Sequence, residues 1–515
     1  MARLPDAFPA GAPGNAAARH KAGTLARPGI DLRGPLPAAL ALLGCALYAV
    51  TLAPVSDHGW QFYMAERVLD GADLYVDVGA ADMHPPLFTW LAMAIAAFGR
   101  FVTIDGLTLY PVFVLLVVAG SLECSRRLLH SCGWILAVLV LAFMPMAGPF
   151  YGQGEHLALV MSFPYFAGAV AAIRGHSASR GSAIAAGIAA GIGLAFKPHF
   201  ALVWVGVELL VAKRRGVRSV LRPESIAIAS VFVLYVLAAL ALTPELFRSL
   251  PWLMQLYPRA FAVAFHTIVL DERVLLVGLG LFSAWRLRKH ADDGPLARVL
   301  AVAMLAMYIA LLLQGKGWGY HWYPVTALAV ILCGLALRPF VARFRVAPLA
   351  LSVLAIGWMQ VQSVRTARLL VVDPVMLPQM MDVVETHARG QAIVAFSHLI
   401  QTGFPLVNLM DVRWASPYAH LWMVPAMYSE AWAQREPVRY RDVGEWQAFE
   451  QQMFDRIWEE IVRDDPAIIF MHVPLANGFD MRAYFETDAR FRARFARSPV
   501  IDTIGRYIVL GRPVS

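Results

Sequence analysis

The sequence predicts a polytopic α-helical membrane protein of about 11–12 transmembrane helices, with a soluble α/β domain at its C-terminal end. Three observations carry this. The 515 residues are 59% hydrophobic and 16% charged, where a soluble domain carries about 25% charged residues, and the mean hydropathy is +0.57. Apolar runs near the ~20 residues that span a bilayer follow one another from Leu36 to Val361. From Arg365 the long apolar runs stop, charge rises and short strand-like runs begin. The chain divides into a disordered cytoplasmic tail at 1–34, a transmembrane domain at 35–364 with its first outer loop at 55–86, and an outer domain at 365–515.

The tail is Ala/Gly/Pro-rich and basic. The run Leu36–Pro54 follows it without a cleavage site, which reads as a start-transfer helix. The net charge of +8 comes from 44 Lys+Arg against 36 Asp+Glu. It does not point to nucleic acid, because the basic residues gather in short loops between apolar runs. Arg126-Arg127, Arg174 to Arg180, Lys213 to Arg222, Arg286 to His290 and Arg338 to Arg345 are the cytoplasmic loops by the positive-inside rule. The segments at Asp57, Glu155, Lys197, Thr243–Glu272, Lys316 and beyond Val364 then face outward. Three apolar segments separate Asp57 from Glu155, which both belong outside. One of Pro86–Ile104 and Leu107–Cys124 therefore makes no crossing. Pro86–Ile104, with two prolines at its start and Gly99-Arg100 near its end, is the expected juxtamembrane or re-entrant helix. After Arg365, Ala392–Phe396, Ala467–His472 and Tyr507–Leu510 read as buried strands. Trp446–Arg463 and Met481–Phe495 read as helices. Cys45, Cys124, Cys132 and Cys333 show no CxxC pair or metal-ligand spacing.

Four polar clusters fall on the outward face. Asp57-His58 opens the acid-rich first loop, which ends in His84-Pro85-Pro86. A carboxylate there can deprotonate a hydroxyl, although an isolated Asp at a helix end is more often a solvated acid. Gln153, Glu155 and His156 stand at the start of an apolar run, where ionisable groups are costly unless they act, or serve as a cap and first turn. Lys197 and His199 sit in a tight turn and suit a phosphate, although an interfacial Lys often only snorkels. Lys316, Tyr320 and His321 lie in a Gly-rich aromatic loop. Its glycines admit a ligand close to the backbone, while its aromatics also fit an interfacial belt. One acidic cluster and three with cations or amides suit a phosphate-bearing ligand. Neither a GxxxxGK[ST] loop nor a GxGxxG after a strand is present, so an outward-facing donor would be lipid-linked.

The first loop reads Asp57…Tyr63…Ala65-Glu66-Arg67-Val68-Leu69-Asp70-Gly71…Leu74-Tyr75…Pro85-Pro86-Leu87. This resembles the GT-C glycosyltransferase superfamily, in particular its bacterial protein-mannosyltransferase and lipid A aminoarabinose-transferase branch. The resemblance covers about Leu36 to Val364. It implies a polyprenyl-phosphate sugar donor and a periplasmic glycan, lipid or protein acceptor. It also implies an inverting displacement in the inner membrane, with Asp57 as base. Much of the family has Asp-Glu where this chain has Asp57-His58. The donor-binding cations map only by topology, to Lys197, Lys316 and His321. No cofactor is certain, and the superfamily leaves a divalent metal open, with Asp57 and Glu155 as the one acid pair. A transporter or flippase of lipid-linked glycans is the alternative reading. It predicts mid-membrane ionisable residues and an internal repeat, where this chain has edge clusters.

Overall fold

The structure is a computed structural model. It describes residues 35–50, 55–129, 133–176, 178–341, 343–344, 346–369, 376–430, 438–475 and 478–513, of which 362–369 by backbone only. The tail expected at 1–34 and Cys132 lie outside these residues. Cys45, Cys124 and Cys333 are free thiols.

Helices α1 (Leu36–Ala49), α2 (Ser56–Leu69), α3 (Leu87–Val102), α4 (Gly106–Leu129), α5 (Gly133–Phe143) and α6 (Gly154–Arg174) come first. Then follow α7 (Arg180–Ala195), α8 (Ala201–Arg215), α9 (Pro223–Leu242), α10 (Pro244–Phe261), α11 (Phe265–Val269), α12 (Arg273–Leu287), α13 (Gly294–Gln314), α14 (Gly319–Val341) and α15 (Ala347–Leu369). Among the described residues, α4, α6, α9, α13 and α14 are long and apolar enough to cross a membrane, and shorter apolar helices pack among them. The protein is a multi-pass membrane protein. One apolar core, rich in Leu, Val, Ala and Phe, runs through these helices.

The two ends of the bundle differ in chemistry. Arg174 donates to the Asp292 carbonyl, Arg338 pairs with Asp293 at 2.8 Å, and Arg222 pairs with Glu208 at 2.6 Å. The basic loops thus meet at one end. The polar clusters lie at the other.

Helix α3 is one of the shorter apolar helices. Its first residues adjoin a cavity shared by His58, His84 and Phe88. Just past its end, Asp105 and Leu107 line another cavity with Val50 and His58. Both ends of α3 thus adjoin cavities that His58 lines. Helix α3 lies over the head of α4, and an added methyl at Gly106 would come within 2.8 Å of the Ala96 Cα.

The C-terminal domain, called the outer domain after its expected side of the membrane, opens with α16 (Met376–His387). Its mixed five-stranded sheet has the order β2-β1-β3-β5-β4, formed by β1 (Ala392–Phe396), β2 (Arg413–Trp414), β3 (Ile468–His472), β4 (Val500–Ile504) and β5 (Tyr507–Gly511). Strand β1 pairs in parallel with β2 and β3, while β5 runs antiparallel to β3 and β4. Strands β1 and β3 are buried along their whole length, which is why they read as unbroken apolar runs. The expected helix Met481–Phe495 is two helices. Asp488 caps a second one by accepting from the Arg490 amide at 2.7 Å, so the chain restarts there.

Alternation along the strands divides the domain core in two. Val394, Phe396 and Ile469 face the helix Ala448–Asp464, together with Leu253 of α10. Ile393, Ala395 and Phe470 face α16, together with Trp60 and Met64 of α2. The outer domain thus builds its core partly from the membrane domain's own loops.

Candidate active site

Residues 56–69 were expected as loop and are a helix. Their apolar residues serve two partners. Phe62 and Ala65 join the membrane core, and Trp60 and Met64 join the outer-domain core. Asp57 and Gln61, four apart, share the remaining face. Three further contacts fix α2. Thr89 donates to Gln61 Oε1 at 2.6 Å, Asn408 Nδ2 donates to the Gly59 carbonyl at 3.1 Å, and Tyr63 Oη donates to the Trp414 carbonyl at 3.3 Å.

The loop after α2 folds back so that His84 meets Asp57. Tyr75 takes a left-handed conformation (φ 67°), and its hydroxyl donates to the His84 carbonyl at 2.6 Å. Asp82 accepts from Trp60 Nε1 at 2.8 Å and from the His84 amide at 2.8 Å, and its Oδ1 lies 2.7 Å from His84 Nδ1. Burial would raise Asp82, but His84 and these hydrogen bonds outweigh it and hold the carboxyl low. Burial would lower His84, but the Asp82 carboxylate outweighs it and raises the imidazole. Each group thus favours the charged form of the other, beside Asp57.

Asp57 differs. Among the described residues no hydrogen-bond donor meets its carboxylate. Burial raises it above the usual carboxylate range, opposed by the charges of His84 and Lys197. An Asp that keeps more proton affinity than usual, with its oxygens uncommitted, is equipped to act as a base. His58, the residue after it, is buried between Phe88 and Tyr110, and burial pulls it down to about 3. It is a neutral packing element rather than a second charge.

The second cluster comes from α6, the turn Lys197–Phe200 and the start of α14. Glu155, 2% exposed, forms an ion pair with Lys197. His321 Nε2 lies 3.5 Å from Lys197 Nζ and 3.6 Å from Glu155 Oε1. Lys197 also sits over the Tyr320 ring at 5.0 Å. Glu155 is thereby committed to a cation. The Asp57–Glu155 pair does not fit a divalent metal, and among the described residues no three His, Cys, Asp or Glu side chains converge as metal ligands.

Two cavities meet at Asp57. The larger, about 280 Å³, also touches Asp82, His84, Tyr257, Trp318 and Tyr320 on the membrane side, and His398 and His420 of the outer domain. The smaller, about 60 Å³, touches His58, Gln153, Glu155 and Lys197. Asp57, His84 and Tyr320 line both. Asp57, His58, His84, Gln153, Glu155, Lys197 and Tyr320 thus line one or both of these cavities. Four residues stand back from the lining. His156 is fully buried, accepting from the Gly152 amide at 3.0 Å while its Nε2 lies 2.7 Å from the Phe143 carbonyl, so it braces the turn before α6. His199 packs on Phe200. His321 supports Lys197 from behind. Lys316 donates to Tyr257 Oη at 2.6 Å behind the cavity wall, where burial and the Lys197 charge pull it down to about 7.

Asp82, Tyr257, His398 and His420 were not singled out in the sequence. For Asp82 a local signal existed, since it stands two residues before His84 in the same loop. For His398 and His420 it did not, because the outer domain shows no motif.

No protein-family model and no curated protein matches this sequence. Among solved structures, the chain is similar to ArnT from Cupriavidus metallidurans bound to undecaprenyl phosphate. The TM-score is 0.54 at 13% identity, over 92% of this chain and 97% of that one. The oligosaccharyltransferase of Archaeoglobus fulgidus, tethered with an acceptor peptide, matches with TM-score 0.44 at 12% identity, over 91% of this chain and 74% of that one. The likeness to ArnT is one of fold. It agrees with the expected GT-C architecture, in which a helical membrane domain carries a C-terminal α/β domain.

Proposed function

We propose that this chain is a glycosyltransferase of a bacterial inner membrane, which moves a sugar from a polyprenyl-phosphate donor to a periplasmic acceptor. The observation that carries this is Asp57, an uncommitted carboxylate at the meeting of two cavities. One cavity offers Lys197 and the N-terminal end of α6, a pairing suited to a phosphate. The other opens to the outer domain. That ArnT was solved with undecaprenyl phosphate supports a lipid-linked donor on the same fold.

In this reading Asp57 removes the proton of an acceptor hydroxyl. The oxygen forms a bond to the anomeric carbon, and the bond from that carbon to the phosphate oxygen breaks with its electron pair. Polyprenyl phosphate leaves as an anion. Lys197 stabilises the growing charge. One base and one displacement invert the anomeric centre. A protonated His84 lowers the proton affinity of Asp57 and so favours its ionised form. The collection of ionisable groups at one end of the bundle favours this reading over a transporter.

The test is transfer from radiolabelled polyprenyl-phosphate sugars in membranes. Asp57→Asn should lower the rate by roughly 10²–10⁴-fold, the range for loss of a general base. Equal transfer by wild type and variant would sink the assignment.

A further inference from the structure

We infer that the outer-domain half of the larger cavity is an acceptor subsite that takes a sugar residue of a glycan. This rests on the transferase reading and adds the acceptor class to it.

Strands β1 and β2 are parallel neighbours. Their carboxyl ends run into His398–Gln401 and Ala419–Trp422, and both segments line the cavity opposite Asp57. Ligands of α/β sheets gather outside the carboxyl ends of parallel strands. Here that edge is aimed at the candidate base.

The chemistry of the lining selects the ligand. His398 Nδ1 and His420 Nδ1 are both buried without a hydrogen-bond partner. Buried polar atoms of this kind call for a partner. Burial holds His398 near 4 and His420 near 3, so both rings are neutral. A neutral imidazole offers one donor and one acceptor, which matches a hydroxyl. Gln401 adds an amide. Tyr257, Phe261 and Trp422 form an aromatic wall, with Trp422 5.3 Å from Tyr257 and 5.4 Å from Phe261 between ring centres. Ring faces with a few placed polar groups are the makings of a specific pocket. Among the described residues no Lys or Arg lines this cavity, so its lining offers the phosphate of a phosphorylated acceptor neither side chain as a partner. Its 280 Å³ is near the lower bound of about 300 Å³ for small-ligand pockets, room for one ring rather than a stretch of polypeptide.

The experiment uses the full chain in detergent and saturation-transfer NMR with a panel of methyl hexosides and methyl N-acetylhexosaminides, and with a hexapeptide rich in Ser and Thr. At least one glycoside should bind wild type. His398→Leu and His420→Leu should each weaken it about tenfold, the cost of one hydrogen bond. His398→Gln and His420→Gln should bind within about threefold of wild type, since Gln keeps a donor and an acceptor. No glycoside binding, equal binding by the Leu variants, Gln variants as weak as the Leu variants, or binding of the peptide alone would overturn the inference. Asp57-dependent transfer measured in parallel separates the two readings. Transfer without His-dependent glycoside binding sinks the subsite, and glycoside binding without transfer sinks the acceptor role with the transferase reading.

Discussion

Asp57 and His84 face one cavity, and each sets the other's proton affinity. Burial raises Asp57, and the His84 charge partly offsets this. The base must be ionised to act, so activity falls as pH drops through its folded pKa. The acid limb of kcat/KM should therefore lie above the ~3.9 of an ordinary Asp. Replacing His84 with Gln removes a cation that favours the carboxylate, which raises Asp57 further. The acid limb should move to higher pH in a pH–rate profile of His84→Gln. A limb that stays in place or moves down would remove His84 from this role. The local sequence showed both residues, since they close the two ends of one loop. It did not show that Asp82 would hold His84, because that depends on the turn at Tyr75.

At the scale of elements, the site depends on where α2, α3 and α6 begin. Gly152, just before α6, has φ 84°, and its carbonyl accepts from Tyr110. An added methyl there would lie 2.7 Å from the Tyr110 ring. Gly152→Ala should destabilise the protein by about 1–3 kcal/mol through backbone strain, with a further loss from the contact. Gly120→Ala in α4, where nothing lies within 4 Å of the added methyl, should be neutral or stabilising by up to ~1 kcal/mol. Thermal unfolding in detergent compares the two. Most elements were legible as apolar runs. Helix α2 was not legible as a helix. Its apolar residues face two different cores, which blurs the single stripe that helix periodicity relies on.

Over the whole molecule, Leu32–Ser515 forms one compact unit. The outer domain hydrogen-bonds to the first loop through the Pro417 carbonyl, which accepts from the Ala80 amide at 3.0 Å, and it covers Trp60 and Met64. Truncation after Val364 should abolish transfer and make 55–86 sensitive to proteolysis in membranes. A truncated chain that keeps wild-type transfer would show the outer domain to be dispensable. The sequence by itself determined the rough limits of the apolar runs, the separation of basic loops from polar clusters, and the place of Asp57 in the polar segment after the first apolar run. Each of these is read within about 20 residues, the reach of one span. Only the tertiary structure decided that Lys197 answers Glu155, that Lys316 stands behind Tyr257, and that His398 and His420 close the cavity over Asp57. These partners are distant in the chain. Their meeting depends on helix crossings and strand register, which no local pattern carries.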